Sequence, residues 1–391
     1  MRVVVVGAGI IGLTFAYNWL ERFPSDEVVI IEKEGRECFH ASGRNSGILH
    51  AGFYYNADSL KGKLTATGNR QMKEFCRRHS IPVLETGKLV VAKGEEEIET
   101  LKELERRSQL NGAGAYLISQ KEAEEIEPNV KTYQYALWSP NTASVDPRQV
   151  CRKLREILEQ KGVRFQFNTR FEEWGESYDL LVNVAGLYAD KIAHQFGVGE
   201  RYTMLPFKGL YLKYLGKNSI RTQIYPVPNI KNPFLGIHFT LLADGTIKIG
   251  PTAIPAFWRE HYTFGSRFNW RELVEILKLE GELFFKNSFG FRDLALYEMQ
   301  FYWPGRMVAE AKKLVKELEG EFTPYPPGIR AQLVDLEEKR LVMDFLVEYK
   351  PGQIHILNAV SPAFTASFTF TDYVIQNYLN REKGEEVTDS H

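Results

Sequence analysis

The sequence predicts an α/β (α+β) protein in which a domain with a parallel sheet is interleaved with a second domain built on a mostly antiparallel sheet. The chain opens with a strand, a glycine turn and a helix, and this order returns near residue 180 and at the C-terminus. The stretch 206–345 differs, because it is rich in aromatic and β-branched residues and in turns. These three observations predict two domains whose segments alternate along the chain.

The first element is the β-branched run Val3–Val6, which is typical of a strand buried on both faces of a parallel sheet. The sequence Gly-Ala-Gly-Ile-Ile-Gly follows at residues 7–12 and leads into apolar residues at helical spacing. A second apolar strand, Glu27–Ile31, ends at Glu32. A glycine turn between a strand and a helix, with an acid after the next strand, predicts a dinucleotide site.

Each residue type in this motif has a physical role. The first glycine permits a tight turn, the second lets the backbone approach a pyrophosphate, and the third lets helix and strand pack closely. The helix N-terminus holds the phosphates, and the Glu32 carboxylate accepts hydrogen bonds from ribose hydroxyls. Because a carboxylate repels a 2′-phosphate, the motif favours FAD or NAD over NADP. The residues expected to bind the dinucleotide here are Gly7, Gly9, Ile10, Ile11, Gly12, Glu32 and Lys33.

The middle of the chain returns to the parallel-sheet pattern after an insertion. Asp146-Pro147 is an N-cap followed by proline at the first helical position, and the helix it opens ends at Gly162. The apolar run 178–184 leads into a turn that contains Ala185 and Gly186. The other elements predicted before residue 206 are a helix over 95–111, a capping box over 119–122 and a strand over 163–167.

The remaining elements belong to the antiparallel stretch and to the C-terminal unit. Strands are predicted over 209–214 and 234–240, and helices over 270–285 and 297–318, the second with a break at Pro304. The chain then forms a short apolar strand over 353–359, a turn with Ser361, Pro362 and Ala363, and a helix to residue 379.

Composition excludes several classes of protein. Lys plus Arg is 49 and Asp plus Glu is 50 in 391 residues, so the net charge of −1 supplies no basic field for nucleic acid. Cys38, Cys76 and Cys151 lack CxxC spacing, so we expect neither disulfides nor a metal site. No stretch has 18 uninterrupted apolar residues, so we expect no transmembrane segment, while peripheral membrane contact stays open.

Five segments carry a resemblance to a known family. They are SGRNSGILHAGFYY (42–55), PFKGLY (206–211), IYPVPNIKNPFLGIHFT (224–240), GIRAQ (328–332) and HILNAVSPAFTAS (355–367). Across nearly its whole length the chain resembles the L-2-hydroxyglutarate dehydrogenase/oxidase family, within the D-amino-acid-oxidase-like superfamily of FAD enzymes. It departs where it has Lys208-Gly209-Leu210 in place of Arg-Gly-Glu, and Thr252 in place of Asn. Because an acid is lost at residue 210, the substrate need not be 2-hydroxyglutarate itself.

The resemblance implies FAD as the cofactor and a Rossmann-like FAD-binding domain that is discontinuous in sequence. This domain is expected over 1–85, 141–205 and 346–391, and a substrate-binding domain over 86–140 and 206–345. The polar loop Arg44-Asn45-Ser46-Gly47 places amides and hydroxyls along the pyrophosphate and the isoalloxazine edge. Ala185 and Gly186 form a second cofactor turn.

Two further cofactor contacts follow from the resemblance. At the position of His50 some superfamily members attach FAD covalently through a histidine, which this family does not require. The turn Ser361-Pro362-Ala363 opens the last helix, whose free N–H groups would face the flavin pyrimidine and stabilise the negative charge of the reduced ring. Ser361 is also expected to provide an ordinary helix cap, and both roles can hold at once.

Five residues are candidates for substrate chemistry. Arg330 resembles the arginine by which related oxidases hold a carboxylate, and Lys208 is a candidate for a second carboxylate. His238 alternates with Ile237 and Phe239 on a predicted strand, so it either acts as a base at the flavin or is a hydrogen-bonded core histidine. His50 is an alternative base. Tyr225 either orients the substrate or packs in the core.

The function that these features predict is FAD-dependent oxidation of a small 2-hydroxy acid to the 2-keto acid, by hydride transfer to flavin N5. An FAD-dependent amino-acid or amine oxidase is the alternative within the same fold. A flavin-binding regulatory or tRNA-modifying scaffold is the alternative of a different class, and the net charge argues against RNA. The electron acceptor, whether oxygen, quinone or another carrier, is open. A cytoplasmic location is expected, and attachment to the inner face of a membrane stays open.

Overall fold

The computed structural model describes residues 1–229 and 234–384, which contain nineteen strands and ten α-helices. The strands are β1 (Arg2–Val6), β2 (Glu27–Ile31), β3 (Ile48–Leu49), β4 (Val83–Leu84), β5 (Lys88–Val91), β6 (Tyr116–Ser119), β7 (Tyr135–Ser139), β8 (Ala143–Val145), β9 (Arg164–Gln166), β10 (Leu180–Asn183), β11 (Tyr202–Tyr214), β12 (Gln223–Pro226), β13 (His238–Leu241), β14 (Ile247–Gly250), β15 (Ile254–Pro255), β16 (Phe322–Asp335), β17 (Arg340–Leu341), β18 (Leu346–Lys350) and β19 (Gln353–Asn358). The helices are α1 (Ile10–Arg22), α2 (Leu60–Arg78), α3 (Ile98–Asn111), α4 (Gln120–Ile126), α5 (Pro147–Gln160), α6 (Ala189–His194), α7 (Trp270–Lys286), α8 (Phe291–Met299), α9 (Pro304–Ala311) and α10 (Ala363–Glu382).

The first sheet has six strands in the order β18-β19-β10-β1-β2-β9, and it is parallel except for the edge strand β18. β1 lies at its centre, where Val3, Val4 and Val5 are fully buried, as an uninterrupted apolar run predicts. Helices α1, α2, α5 and α10 share one hydrophobic core with one face of this sheet, and Ile192 of α6 packs on the other face. The last helix, α10, therefore packs in the same core as the first, α1, and the sheet is covered on both faces.

The second sheet has ten strands, nine of them in the order β17-β16-β11-β14-β13-β12-β5-β7-β6, with β15 paired to β11. All its pairings are antiparallel except that of β12 with β5. Its strands come from residues 88–139 and 202–341, while those of the first sheet come from 2–31, 164–183 and 346–358. A short third sheet, β3-β8-β4, adjoins the turn that leads to His50. The expected α/β class with a parallel and a mostly antiparallel sheet is confirmed.

Three elements differ from the sequence predictions. The helix expected over 297–318 has its predicted break at Pro304, which begins α9, but α9 already ends at Ala311. The strand expected over 234–240 is shorter, since β13 begins at His238, and residues 230–233 lie outside the described part. The helix expected over 95–111 opens with a 3₁₀ turn before α3.

Candidate active site

A long cleft separates the two large sheets, and it passes the carboxyl ends of three neighbouring parallel strands. Gly7 and Gly9 follow β1, Glu32 follows β2, and Ala185 follows β10, and all four line the cleft. Ligands of open α/β sheets bind in this position, outside the carboxyl ends of the strands. The opposite wall belongs to the second sheet. Its lining residues include Tyr211, Tyr225, His238, Pro251 and Arg330.

The glycine turn has the close contacts that its sequence predicts. Gly7 has φ +120°, and a Cβ there would lie 2.7 Å from the carbonyl oxygen of Val184, which directly follows the neighbouring strand β10. A Cβ at Gly12 would lie 2.0 Å from the carbonyl oxygen of Gly7. Gly12 does not line the cleft and acts through packing. Gly9 is the N-cap of α1 and has no side chain, so the helix presents backbone to the cleft.

The Glu32 carboxylate is held in place by backbone hydrogen bonds. Its Oε2 accepts from the N–H of Ala8 at 3.0 Å, and its Oε1 accepts from the N–H of Glu34 at 2.9 Å. Burial raises the pKa of Glu32, and these two hydrogen bonds oppose the rise. The side chain is therefore fixed at the strand end from which a carboxylate would bind a ribose.

Lys33 lines the cleft within a network of ion pairs. Its Nζ lies 2.6 Å from Oε1 of Glu260 and 2.9 Å from Nε2 of His40, and it also contacts Glu34. Arg267 pairs with the same two carboxylates. Glu34, His40 and Glu260 offer ligand atoms within 4.8 Å of one another, but the lysine and the arginine already balance both acids. The network joins the loop after β2 to residues 260–267 at the cleft rim.

The loop expected to follow the cofactor is partly buried and lines the cleft through Arg44, Asn45 and Ser46. The Asn45 side chain folds its own loop, because its Oδ1 accepts from Gly47 N at 2.7 Å. Gly47 lies outside the lining. It has φ +70°, and a Cβ there would lie 2.2 Å from the Val145 carbonyl oxygen, so it shapes the loop.

Sequence reasoning missed Ser42 on this loop. Its Oγ accepts from the N–H of Ile10 at 2.9 Å, 32 residues away along the chain. It therefore satisfies an N–H in the first turn of α1, which Gly9 cannot cap. Serine in a loop of small polar residues has no spacing signal that would identify this partner.

The C-terminal turn lies on the cleft with an uncapped helix behind it. Ser361, Pro362 and Ala363 all line the cleft. The N-cap of α10 is Pro362, and no side chain accepts a hydrogen bond there, so the expectation that Ser361 caps the helix is wrong. The N–H of Ala363 donates to the carbonyl oxygen of Val360 at 3.0 Å. Because Pro362 has no side-chain acceptor, the next N–H groups of α10, those of Phe364 and Thr365, are available to a ligand.

A buried polar cluster lies on the face of the second sheet toward the cleft. His238 is 4% exposed, and its ring stacks on that of Tyr225 with centroids 3.7 Å apart. His238 Nδ1 lies 2.8 Å from the carbonyl oxygen of Gly236. Because that oxygen only accepts, Nδ1 carries the hydrogen and Nε2 has the free lone pair. Burial and the neighbouring Lys88 hold the pKa of His238 well below its usual value, so the imidazole is neutral.

His50 enters the same cluster from the turn after β3. It is buried, lines the cleft, and its Nδ1 lies 3.5 Å from Nζ of Lys88. Burial, then Lys88, then His238 lower the pKa of His50. Sequence reasoning missed Lys88, although a lysine at the start of the run Lys-Leu-Val-Val is a charge in a buried strand. Burial raises the pKa of Tyr225 and keeps its hydroxyl protonated.

Arg330 and Lys208 have different surroundings although their strands are paired. Arg330 lines the cleft, and its Nη1 donates to the carbonyl oxygen of Thr252 at 3.0 Å. No salt bridge joins it to a carboxylate of residues 1–229 or 234–384. Lys208 does not line the cleft. Arg330 pairs with Phe207, so the next residue, Lys208, lies on the other face of the sheet.

The cleft fits FAD, because a glycine turn with no room for side chains, a fixed acid and an uncapped helix all face it. Such a site on this fold defines a flavin-dependent oxidoreductase. Residues 2–358 match the family described as DAO, FAD dependent oxidoreductase. The chain belongs to this family, and within it to the L-2-hydroxyglutarate dehydrogenases. FAD is its cofactor, as expected, and it acts on a CH–OH group.

Curated relatives match nearly the whole chain. L-2-hydroxyglutarate dehydrogenase, mitochondrial, of Caenorhabditis elegans is 34% identical over 409 residues, covering 97% of this chain and 93% of the relative. The human protein of the same name is 32% identical over 417 residues, covering 97% and 89%. L-2-hydroxyglutarate dehydrogenase of Escherichia coli K12 is 30% identical over 389 residues, covering 95% and 92%.

Solved structures share the fold at lower identity. L-α-glycerophosphate oxidase from Mycoplasma pneumoniae, with FAD bound, gives a TM-score of 0.71 at 20% identity and covers 97% of this chain and 94% of its own. L-amino acid deaminase from Proteus vulgaris gives a TM-score of 0.70 at 19% identity, covering 99% of this chain and 94% of its own.

Among residues 1–229 and 234–384, no helix is both long enough and apolar enough to cross a membrane.

Proposed function

We propose that the protein oxidises L-2-hydroxyglutarate, or a closely related 2-hydroxy dicarboxylic acid, to the 2-keto acid. The observation that carries the proposal is that Arg330 and His238 line the same wall of the cleft. Arg330 forms no salt bridge with the described residues, and the imidazole of His238 is neutral. A free guanidinium binds a carboxylate and a neutral imidazole accepts a proton. The names of the curated relatives supply the substrate.

The substrate is oriented first. Arg330 binds the C1 carboxylate through two parallel hydrogen bonds, and the carbonyl oxygen of Thr252 holds the guanidinium in position. Bound FAD supplies the acceptor for the two electrons and the hydrogen that leave C2. Stacking on Tyr225 fixes the plane of the His238 ring.

His238 then removes the hydroxyl proton. Its Nε2 is the basic atom, because Nδ1–H is bonded to the Gly236 carbonyl oxygen. His50 has the complementary role, since its Nδ1 faces the Lys88 amine and its Nε2 is therefore the donor toward the cleft. The imidazole of His238 accepts the proton from the substrate, and the imidazole of His50 donates a hydrogen bond to the substrate.

Charge around His238 favours a substrate with two carboxylates. Lys88, Arg330 and Lys248 each lower the pKa of His238, so three cationic groups lie close to it. The Lys248 side chain lies over the ring of Tyr211 and its pKa is lowered to about 7 by burial. A dianion is stabilised by these groups and in turn keeps them protonated.

Two departures from the family pattern lie together beside Arg330. The N–H of Leu210 donates to Oγ1 of Thr252 at 2.9 Å, and the carbonyl oxygen of Thr252 binds Arg330. The residues that differ therefore adjoin the group proposed to hold the substrate. Leu210 and Thr252 would therefore affect the chain length of the dicarboxylic acid that the protein prefers.

The test is a panel of substrates added to the yellow protein without oxygen. L-2-hydroxyglutarate should bleach the flavin, its D enantiomer should not, and L-lactate should bleach it more slowly because it lacks the second carboxylate. L-glutamate is the matched control, since it replaces only the hydroxyl by an amine. Bleaching by amino acids and not by hydroxy acids would assign the deaminating oxidase reaction instead.

We propose further that the protein docks on a membrane surface through the segment 264–303. Twelve of the nineteen exposed large apolar side chains in the described part lie there, and Phe264 is 99% exposed. On α7 the exposed Trp270, Val274, Leu277 and Phe285 are spaced so that they share one face. The opposite face of α7 carries the buried Ile276, Leu279 and Leu283. Because α7 is apolar on both faces, its exposed face is suited to contact a second apolar environment besides the protein core.

The occupant that this surface fits is the interfacial region of a bilayer, because Trp and Phe are favoured at the level of lipid headgroups. The charges beside the apolar stripe of α7 are mixed, since Lys278 and Lys286 share their side of the helix with Glu275 and Glu282, and Lys286 forms a salt bridge with Glu282. Docking there favours an acceptor dissolved in the membrane, such as a quinone. The protein should float with phospholipid vesicles, and the double variant Trp270→Ser, Phe285→Ser should not. Leu110→Ser, at an exposed apolar residue elsewhere, should behave as wild type.

A further inference from the structure

Lys88 is a fully buried lysine that does not line the cleft. Its side chain has no exposed surface, and no carboxylate of the described residues forms a salt bridge with it. Its polar neighbour is the ring nitrogen of His50 at 3.5 Å. Desolvation lowers the pKa of Lys88 to about 7. Packing alone gives no reason for an amine here, because methionine fills a similar volume without a charge to bury.

The amine lies among three aromatic rings. Its Nζ is 3.9 Å from the ring centroid of Tyr225, 5.2 Å from that of Tyr54 and 5.8 Å from that of Phe53. Ring faces stabilise an ammonium group, more strongly when it is desolvated. These contacts hold the lysine in place and allow it to carry charge.

Tyr225 separates Lys88 from His238. Lys88 pairs with Gln223 on the neighbouring strand, and His238 lies on the strand on the other side of β12. The amine and the imidazole are both within 4 Å of the centroid of Tyr225. One face of a ring has room for one group at that distance, so the lysine and the histidine occupy opposite faces. The tyrosine ring therefore sets the distance between the Lys88 amine and the His238 imidazole.

We propose that Lys88 is a positioning residue for the oxidation: its amine, held against Tyr225 and His50, keeps the imidazoles of His238 and His50 neutral. The inference rests on the proposed role of His238 as base. A positive charge within a few ångströms disfavours a second one on the imidazole. A neutral His238 is ready to accept the substrate proton, whereas an imidazolium cannot.

Other groups face His238 and act in parallel. Arg330 from β16 and Lys248 from β14 also disfavour its imidazolium, and the Gly236 carbonyl oxygen favours it by accepting from Nδ1. His50 faces it across the cluster. Lys88 stands out because it contacts His50 and Tyr225 together, and because, unlike Arg330, it does not line the cleft.

The experiment compares histidine titrations by NMR in the FAD-loaded protein with labelled histidine, using His238→Gln to assign the His238 signal. In wild type the His238 signal should stay that of a neutral ring over the accessible acid range. In Lys88→Met the His238 ring should reach its midpoint at least about 1 pH unit above the lowest pH at which the wild-type ring is still neutral. Lys88→Arg should behave as wild type, and Lys88→Gln serves if the methionine variant does not fold. Lys61→Met removes another buried amine, which binds the Met343 carbonyl oxygen, and should leave the His238 signal unchanged.

The pH dependence of flavin bleaching by the hydroxy acid gives the second measurement. Loss of a charge at residue 88 raises the pKa of the base, so the acid limb of the rate profile should move to higher pH by the same amount as the NMR midpoint. Identical titrations in wild type and in both neutral variants would overturn the inference. If no hydroxy acid bleaches the wild-type protein, the proposed function fails, and the NMR arm still tests the action of Lys88 on the imidazoles.

Discussion

Replacement of Arg330 by lysine tests how the substrate is held. The guanidinium has two free N–H groups on one edge for a carboxylate, while Nη1 also donates to the Thr252 carbonyl oxygen at 3.0 Å. Lysine keeps the charge but cannot bind the carboxylate by two parallel hydrogen bonds. It also loses the contact of the guanidinium with the ring of Phe234, whose centroid lies 5.3 Å from Cζ.

The expected loss follows from the number of hydrogen bonds removed. One charge-assisted hydrogen bond contributes about 1.5–3 kcal/mol, so Arg330→Lys should lower kcat/KM by roughly tenfold to a hundredfold. The FAD content should stay near that of wild type, because Arg330 lies on the wall formed by the second sheet. The assay is steady-state oxidation of the hydroxy acid together with the flavin absorbance of the purified variant.

A matched control separates the site from general effects of the substitution. Arg306→Lys changes an exposed arginine that does not line the cleft, and it should leave kcat/KM unchanged. An Arg330→Lys enzyme with wild-type kcat/KM would refute the assignment of the carboxylate site. Equal losses of FAD and of activity would show that the residue supports the cofactor.

Three further predictions concern the cofactor, the base and stability. Gly9→Val should yield colourless protein, because even a Cβ there would lie 3.0 Å from Ser42 Oγ, whereas Gly281→Ala, with open space around it, should keep its FAD. His238→Gln should keep the yellow colour but slow bleaching about a hundredfold, the usual effect of a lost general base; normal bleaching with a lowered Tm would make it a core histidine. Glu280 is buried with no hydrogen-bond partner for Oε1, and its pKa is raised to about 8, so folding stability falls as pH rises from about 4.5 to 8. Glu280→Gln should therefore raise Tm at pH 8 and leave it nearly unchanged at pH 4, and equal shifts at both values would contradict this reasoning.

The cofactor end of the cleft was predictable because its signals are local in sequence. A glycine turn requires glycine wherever a Cβ would meet backbone, as at Gly7 and Gly12, and the spacing to Glu32 follows from one strand–helix–strand unit. The residue types at these positions are dictated within about thirty residues of chain. Hydrophobic periodicity likewise predicted the buried strands, and proline and capping residues predicted the start of α5.

The substrate end was less predictable because its residues meet only after the two sheets pack. Strand alternation indicated that His238 points away from its neighbours but did not show what it faces. Lys208 and Arg330 have similar charge and similar motif support, and only the register of β11 with β16 placed them on opposite faces. The prediction that Ser361 caps α10 was wrong for a related reason. The cap position depends on where the backbone becomes helical, and this places Pro362 at the N-cap.

The sequence by itself determined the class of fold, the cofactor and the family, because these depend on short-range steric rules and on motifs contiguous in the chain. Tertiary structure alone decided which side chains share the cleft wall, that Ser42 satisfies the N–H of Ile10, and that Lys88 lies within reach of His50. The physical reason is that electrostatic interactions and hydrogen bonds depend on the distance between groups in space and not on their separation along the chain. The residues of this wall and of the buried cluster behind it come from strands β5, β11, β12, β13, β14 and β16, which the sheet order β16-β11-β14-β13-β12-β5 brings together from positions far apart in the chain.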